Sequence, residues 1–263
     1  MQARSEVAAV VLGSAFSESL PVELDAALSP ETVGSPFGAV QVHRHRPTGG
    51  LVLFRHGRPH RYLPHQIPWR AQASALAQLG VDALLLTSSV GVLDPQIPPF
   101  VPHLAADLLM PDNRLPDGTA CTMWPTPTPG QAHLVVDRGL FDPALGDWLA
   151  RRFDLPERRL TFAYVPGPRT KTAAENALLK QLDVHVNSMS IGPEVVLANE
   201  LGIPTAAVLT GHKASGSGAP DPAELARTLD RARDATLTLA IRFLAEAPKL
   251  PFGNHLYRFG ATE

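Results

Sequence analysis

A single cysteine, Cys121, in 263 residues excludes a disulfide framework and any zinc cluster built on thiolates. Its neighbours Ala120 and Thr122 carry no signature of a catalytic thiol. A dominant charge is also lacking: 23 Lys and Arg stand against 25 Asp and Glu, a net of −2. That balance leaves no electrostatic footprint for nucleic acid or for an acidic membrane surface, so neither is expected as a partner. No run of 18 apolar residues occurs, and no segment reads as a membrane-spanning helix. The stretch from Met1 to Leu12 lacks a basic region followed by a long apolar core and a small-residue cleavage site. It reads as no secretory signal, and the expected location is the cytoplasm.

Hydrophobic residues make up 44% and charged residues 18%, a composition that can fill a core. The surplus is in proline: 26 residues, about twice the usual share. Regular elements must therefore fall between prolines. Val7–Leu12, Gly38–His43, Leu51–Arg55, Val81–Thr87, Leu160–Val165, Val184–Asn187 and Ala206–Thr210 read as strands. Helices are expected from Pro68 to Leu79, closed by Gly80, from Thr172 to Leu182, and from Pro193 to Leu201, closed by Gly202. A long helix runs from the cap Asp221 and Pro222 to Glu246, where Pro248 ends it. The alternation predicts one α/β domain over 1–263, with a central mixed, largely parallel sheet flanked by helices. Between Gly91 and Gly130 nine prolines mark an expected irregular segment.

Polar residues gather where strands end, the place at which open α/β sheets bind ligands. Gly13-Ser14 offers small residues and backbone N–H groups, or is a plain strand-to-turn junction. Arg55-His56-Gly57-Arg58-Pro59-His60 brings planar guanidinium forks and imidazoles suited to phosphate, or a solvated basic loop. Thr87-Ser88-Ser89-Val90-Gly91 and Asn187-Ser188-Met189-Ser190 supply hydroxyls for phosphate or sugar, or for helix and turn capping. His43-x-His45 places two rings on one strand face. No carboxylate lies near them in sequence and arginines surround them, so no metal site is expected.

Taken in order, these segments resemble the trimeric purine nucleoside phosphorylase and methylthioadenosine (methylthioinosine) phosphorylase family. Val10-Val-Leu-Gly-Ser14 is similar to its opening strand and phosphate loop. The run from Phe54 to Gln72 is similar to its Arg-His-Gly segment, and Leu79 to Gly91 to its Thr-(Asn/Thr)-Ala-x-Gly strand. Ser188-Met-Ser-Ile-Gly-Pro-Glu-Val-Val-Leu-Ala198 resembles its most specific motif. The likeness spans residue 7 to about 210. It implies phosphorolysis of a nucleoside to free base and pentose 1-phosphate by a homotrimer, with inorganic phosphate as co-substrate and no other cofactor. It places Ser14, Arg55, His56, Arg58, His60, Ser88, Ser89 and Ser190 at the phosphate, with Met189 under the ribose and Tyr62 on its side.

The base end departs from the family. Lys171 stands where the family has a glutamate that accepts a hydrogen bond from the base, and an ammonium only donates. No Asn or Asp occurs in Thr210-Gly211-His212-Lys213, where one would meet the purine. His212 is therefore either a loop histidine or, with Lys171, part of the catalytic base end, donating to the leaving nitrogen as a general acid. Ala15 replaces a glycine in the first loop. Two other readings stand beside phosphorolysis: a homologue that binds nucleoside and phosphate without turnover, and a histidine phosphatase, whose Arg-His-Gly motif also follows an apolar strand.

Overall fold

The computed structural model describes residues 7–17, 20–216 and 221–258. Short apolar runs become strands that are buried on both faces, as the interior of a helix-covered sheet requires. β1 (Val7–Leu12) lies in parallel between β4 (Leu51–Phe54) and β5 (Val81–Val92). Beyond β4 the sheet continues antiparallel through β3 (Gly38–His45) to the edge strand β2 (Leu28–Ser35). On the other side β5 pairs in parallel with β10 (Thr205–Ala214). β10 runs antiparallel to β6 (Pro102–Leu109), β6 parallel to β8 (Leu160–Tyr164), and β8 parallel to β9 (Val186–Ser188). The end of β5 then pairs antiparallel with β9. These five strands return on themselves, so the mixed sheet is not open throughout: one side closes into a ring.

Alternate residues point to opposite faces of a strand, and two cores follow from that. Ala9, Val11, Leu51, Leu53, Leu84 and Leu86 pack under α2 (Trp69–Gln78) and α5 (Gly192–Glu200). Val10, Leu12, Val52, Phe54, Ala83 and Leu85 pack under α3 (Pro143–Phe153) and α6 (Pro222–Glu246). α1 (Val22–Ala27), α4 (Ala173–Gln181) and a two-stranded sheet of β7 (His133–Val135) and β11 (His255–Tyr257) are the remaining α-helices and strands described. Asp221 caps α6 by accepting the N–H groups of Ala223 and Glu224. No described helix is long and apolar enough to cross a membrane.

Three sequence expectations change. β5 does not stop at Thr87 but runs on to Val92, because β10 supplies a ladder partner for Ser88, Ser89 and Gly91. The proline-rich segment is not wholly irregular. It holds β6, whose Pro102 is the first residue of the strand, a place that needs no donor. The rest of that segment is anchored cover. Leu115, Cys121 and Met123 are buried against α2 and α5 residues, Arg70 donates to the carbonyls of Ala120 and Thr122, and Glu200 accepts from Met123 N and Thr122 Oγ1. α1, β2, α3, β7 and β11 also form where no element was expected.

Phe243 is fully buried between α6 and the sheet. Phe243→Ala is expected to cost about 3–5 kcal/mol through lost transfer energy and a residual cavity, read as a shift of the urea unfolding midpoint.

Candidate functional site

A cavity of about 440 Å³ opens where β1, β5, β9 and β10 end. Its floor is Arg55, the residue that follows β4. Arg55 is completely buried, which for a guanidinium demands partners. Its Nε meets both carboxylate oxygens of Glu194 at 2.8 and 2.9 Å, and its Nη1 donates to the Thr87 carbonyl at 2.9 Å. Nη2 is buried with no partner, and Arg55 lines the cavity. Gly13 is required above it: a Cβ there would lie 2.8 Å from Arg55 Nη1 and 3.2 Å from the Thr87 carbonyl. Glu194 Oε2 also accepts from Ile191 N at 3.0 Å. That bond helps hold Ile191, a β-branched residue, at φ +70°, a strained conformation for its type.

Hydroxyls crowd the same place. Ser88 Oγ lies 3.3 Å from both Ser188 Oγ and Ser190 Oγ, and the last two are 3.0 Å apart. Ser14 and Ser89 join them on the cavity wall. His56 gives Nδ1–H to the Tyr62 carbonyl at 2.8 Å. Burial, then the Arg55 charge, pushes its imidazole down to about 4. His56 is thus neutral near pH 7, and with Nδ1–H given to the carbonyl its Nε2 presents a lone pair. His60 stacks on it at 4.6 Å.

Arg58 and Tyr62 are placed elsewhere. Arg58 pairs with Asp25 through two bonds, at 2.5 and 2.9 Å, and with Tyr62 lines a neighbouring cavity of about 520 Å³ that shares only His60 with the first. The paired histidines of β3 are separately engaged: His43 packs edge-on to Phe54 and His45 Nδ1 meets Thr48 Oγ1 at 2.9 Å. Among the described residues no group of three or more His, Cys, Asp or Glu is arranged to hold a metal ion.

The base-end candidates Lys171 and His212 line the main cavity with Met189 and Lys213. The loop that carries Lys171 is held against Met189, since a Cβ on Gly167 would lie 2.6 Å from the Met189 sulfur. Burial, then Lys213, pushes the His212 imidazole down to about 4, and its Nδ1 is buried without a partner. A neutral ring can offer a hydrogen bond but is a poor reservoir of a proton at pH 7, so the general-acid expectation is replaced by a donor. Burial and Lys213 also lower Lys171 to about 8, against the attraction of Glu175. Sequence reasoning placed Asn187 and Ser188 in a candidate segment without giving them a role, and missed Lys213 and Glu194 as site residues. Glu194 was visible inside the Pro-Glu motif, but nothing local showed that its carboxylate reaches Arg55.

Fold and site together define an α/β protein with a cavity of small-molecule size, lined by hydroxyls and cationic side chains, at the ends of its strands. The chain belongs to the phosphorylase superfamily, whose pattern matches residues 8–245. It is 30% identical over 208 residues to the 6-oxopurine nucleoside phosphorylase of Pyrococcus furiosus, covering 72% of this chain and 74% of that one. Against the probable S-methyl-5′-thioinosine phosphorylase of Methanopyrus kandleri it is 32% identical over 206 residues, 76% and 75% of the two chains. The structure of methylthioadenosine phosphorylase from Schistosoma mansoni in complex with tubercidin shares the fold, with a TM-score of 0.73 over 92% of each chain at 20% identity. The family resemblance and the α/β mixed-sheet class expected from sequence are both borne out.

The mutual effect of the two lysines is measurable. Lys171 is expected to be protonated below about pH 8 and to lose its charge above it. Lys213→Met removes the repelling cation and should raise that midpoint, followed by NMR titration of isotope-labelled lysine side chains. An unchanged midpoint would mean that the two amines do not interact.

Proposed function

We propose that this protein is a nucleoside phosphorylase that transfers the pentosyl group of a purine or methylthiopurine nucleoside to inorganic phosphate, giving free base and pentose 1-phosphate. The observation that carries the reading is one cavity that combines a ring of hydroxyls with a buried guanidinium whose Nη2 has no protein partner. Phosphate oxygens accept from the hydroxyls of Ser14, Ser88 and Ser190, from Ser89 N–H, and from Arg55 Nη2. A phosphate oxygen bonds to the anomeric carbon as the carbon–nitrogen bond to the base breaks. The electron pair of that bond passes to the base, which then takes a proton from solvent. The pentosyl group is oxocarbenium-like between these events, so the anion below it and donors around the base lower the barrier. Met189 packs under the sugar. Lys171, as a cation, and His212, as a neutral donor, hold the charge that develops on the base. His60 lines the phosphate end, and His56 Nε2 accepts from the protonated oxygen of hydrogen phosphate. The resemblance supports a homotrimer with sites near its subunit contacts, working in the cytoplasm with phosphate as its one co-substrate.

Base release from inosine, adenosine and methylthioadenosine should depend on added phosphate. A folded protein that binds phosphate and nucleoside but releases no base would establish the binding-only reading instead. Ser88→Ala or Ser190→Ala should raise the phosphate KM about tenfold or more, the loss of a hydrogen bond to a charged group. Arg58→Ala should change it less than about twofold, because its fork is occupied by Asp25.

A further inference from the structure

The cavity carries cations at both ends, but only one end is internally compensated. Arg55 has Glu194. Lys171 and Lys213 have no hydrogen-bond or ion-pair partner among the described residues, although both line the cavity. No described Asp or Glu lines it with them. The nearby Glu175 is committed to Arg169, at 2.7 and 2.8 Å, and to Thr172 N–H.

Lys213 is set along the strand from the serines. In the β5–β10 ladder Leu209 lies beside Ser88, whereas Lys213 lies beside Gly91. Three residues of strand separate these backbone positions by about 10 Å. A phosphate centred on Ser88 and Ser190 takes its hydrogen bonds there, and the two ammonium groups call for an acceptor of their own. Displacement at an anomeric carbon puts the entering and leaving groups on opposite faces of the sugar. With phosphate at the serines, the base lies toward the lysines. Two residues of the same lining, His212 and Asn187, each carry a buried polar atom without a partner, Nδ1 and Oδ1.

We propose that Lys171 and Lys213 form a recognition subsite for a nucleoside whose base carries an acidic group and is anionic near neutral pH. This rests on the phosphorylase reading for which end of the cavity holds the base. Ammonium groups donate and never accept. A base edge of N–H donors would face two donors there, while an oxyanion or ionised ring edge meets both and relieves their repulsion. The burial that depresses Lys171 strengthens its attraction to such an anion.

The test measures binding calorimetrically on the full-length protein in saturating phosphate, with base release followed in parallel. The probes are inosine, with a neutral base; xanthosine, whose base ionises near neutral pH; and inosine 5′-monophosphate, whose acid sits on the sugar. Xanthosine is expected to bind at least about tenfold more tightly than inosine. In Lys213→Met the ratio of xanthosine to inosine affinity should fall below about threefold. Equal affinities for inosine and xanthosine, an advantage that survives Lys213→Met, a preference for the 5′-monophosphate over xanthosine, or no binding of any probe would each overturn the subsite. Lysine-dependent xanthosine binding without base release supports the subsite and removes phosphorolysis. Inosine phosphorolysis with no lysine-dependent preference does the reverse.

Discussion

The buried ion pair between Arg55 and Glu194 is the constraint around which the cavity is organised. It joins the end of β4 to the first turn of α5, and through Thr87 it reaches the middle of β5. The same carboxylate holds the Ile191 N–H at the strained turn that follows Met189 and Ser190. One acidic group thus fixes a guanidinium beside Gly13 and the backbone turn that follows Ser190. Removing one partner from such a pair leaves an uncompensated buried charge, which typically costs about 3–5 kcal/mol. Gly13 follows from this arrangement, because any side chain there would collide with the guanidinium.

Electrostatics divides the cavity into two halves. At the hydroxyl end the Arg55 charge is balanced by Glu194 and His56 is kept neutral by burial and by Arg55. That end therefore presents clustered hydroxyls beside a compensated guanidinium, with little excess charge. At the far end two ammonium groups share space with a neutral His212 and lack a carboxylate among the described lining residues. The chemistry of the two ends differs in kind: fixed dipoles and one compensated fork on one side, uncompensated cations on the other.

The prolines serve this division by fixing where elements begin. Pro143, Pro193 and Pro222 stand in the first turns of α3, α5 and α6, where a missing N–H costs nothing. Pro102 opens β6. The stretch after β6 has few ladder bonds of its own and is held by side chains of the helices it covers, chiefly Arg70 and Glu200. It gives α2 and α5 an apolar lid over Leu115, Cys121 and Met123.

Much of this was legible in the linear chain. The α6 boundaries follow from Asp221, Pro222 and Pro248, all local signals, and the apolar runs of β1, β4 and β8 declare themselves by composition. The family resemblance rests on four ordered motifs at strand ends. The cap Asp142 and Pro143 of α3 are equally local signals. The rest needed the third dimension. Ser88 to Val92 has turn-like chemistry and is strand only because β10 lies beside it. Arg55 and Glu194 are 139 positions apart, and Arg55 and Arg58 are alike as sequence although one is buried under the cavity and the other is paired with Asp25 at its neighbour. Sequence by itself determined which residue types could bind an anion, since that is a property of each side chain. Tertiary structure decided which of them share one cavity and which charges are already spent, because burial and pairing depend on neighbours that the chain brings together only by folding.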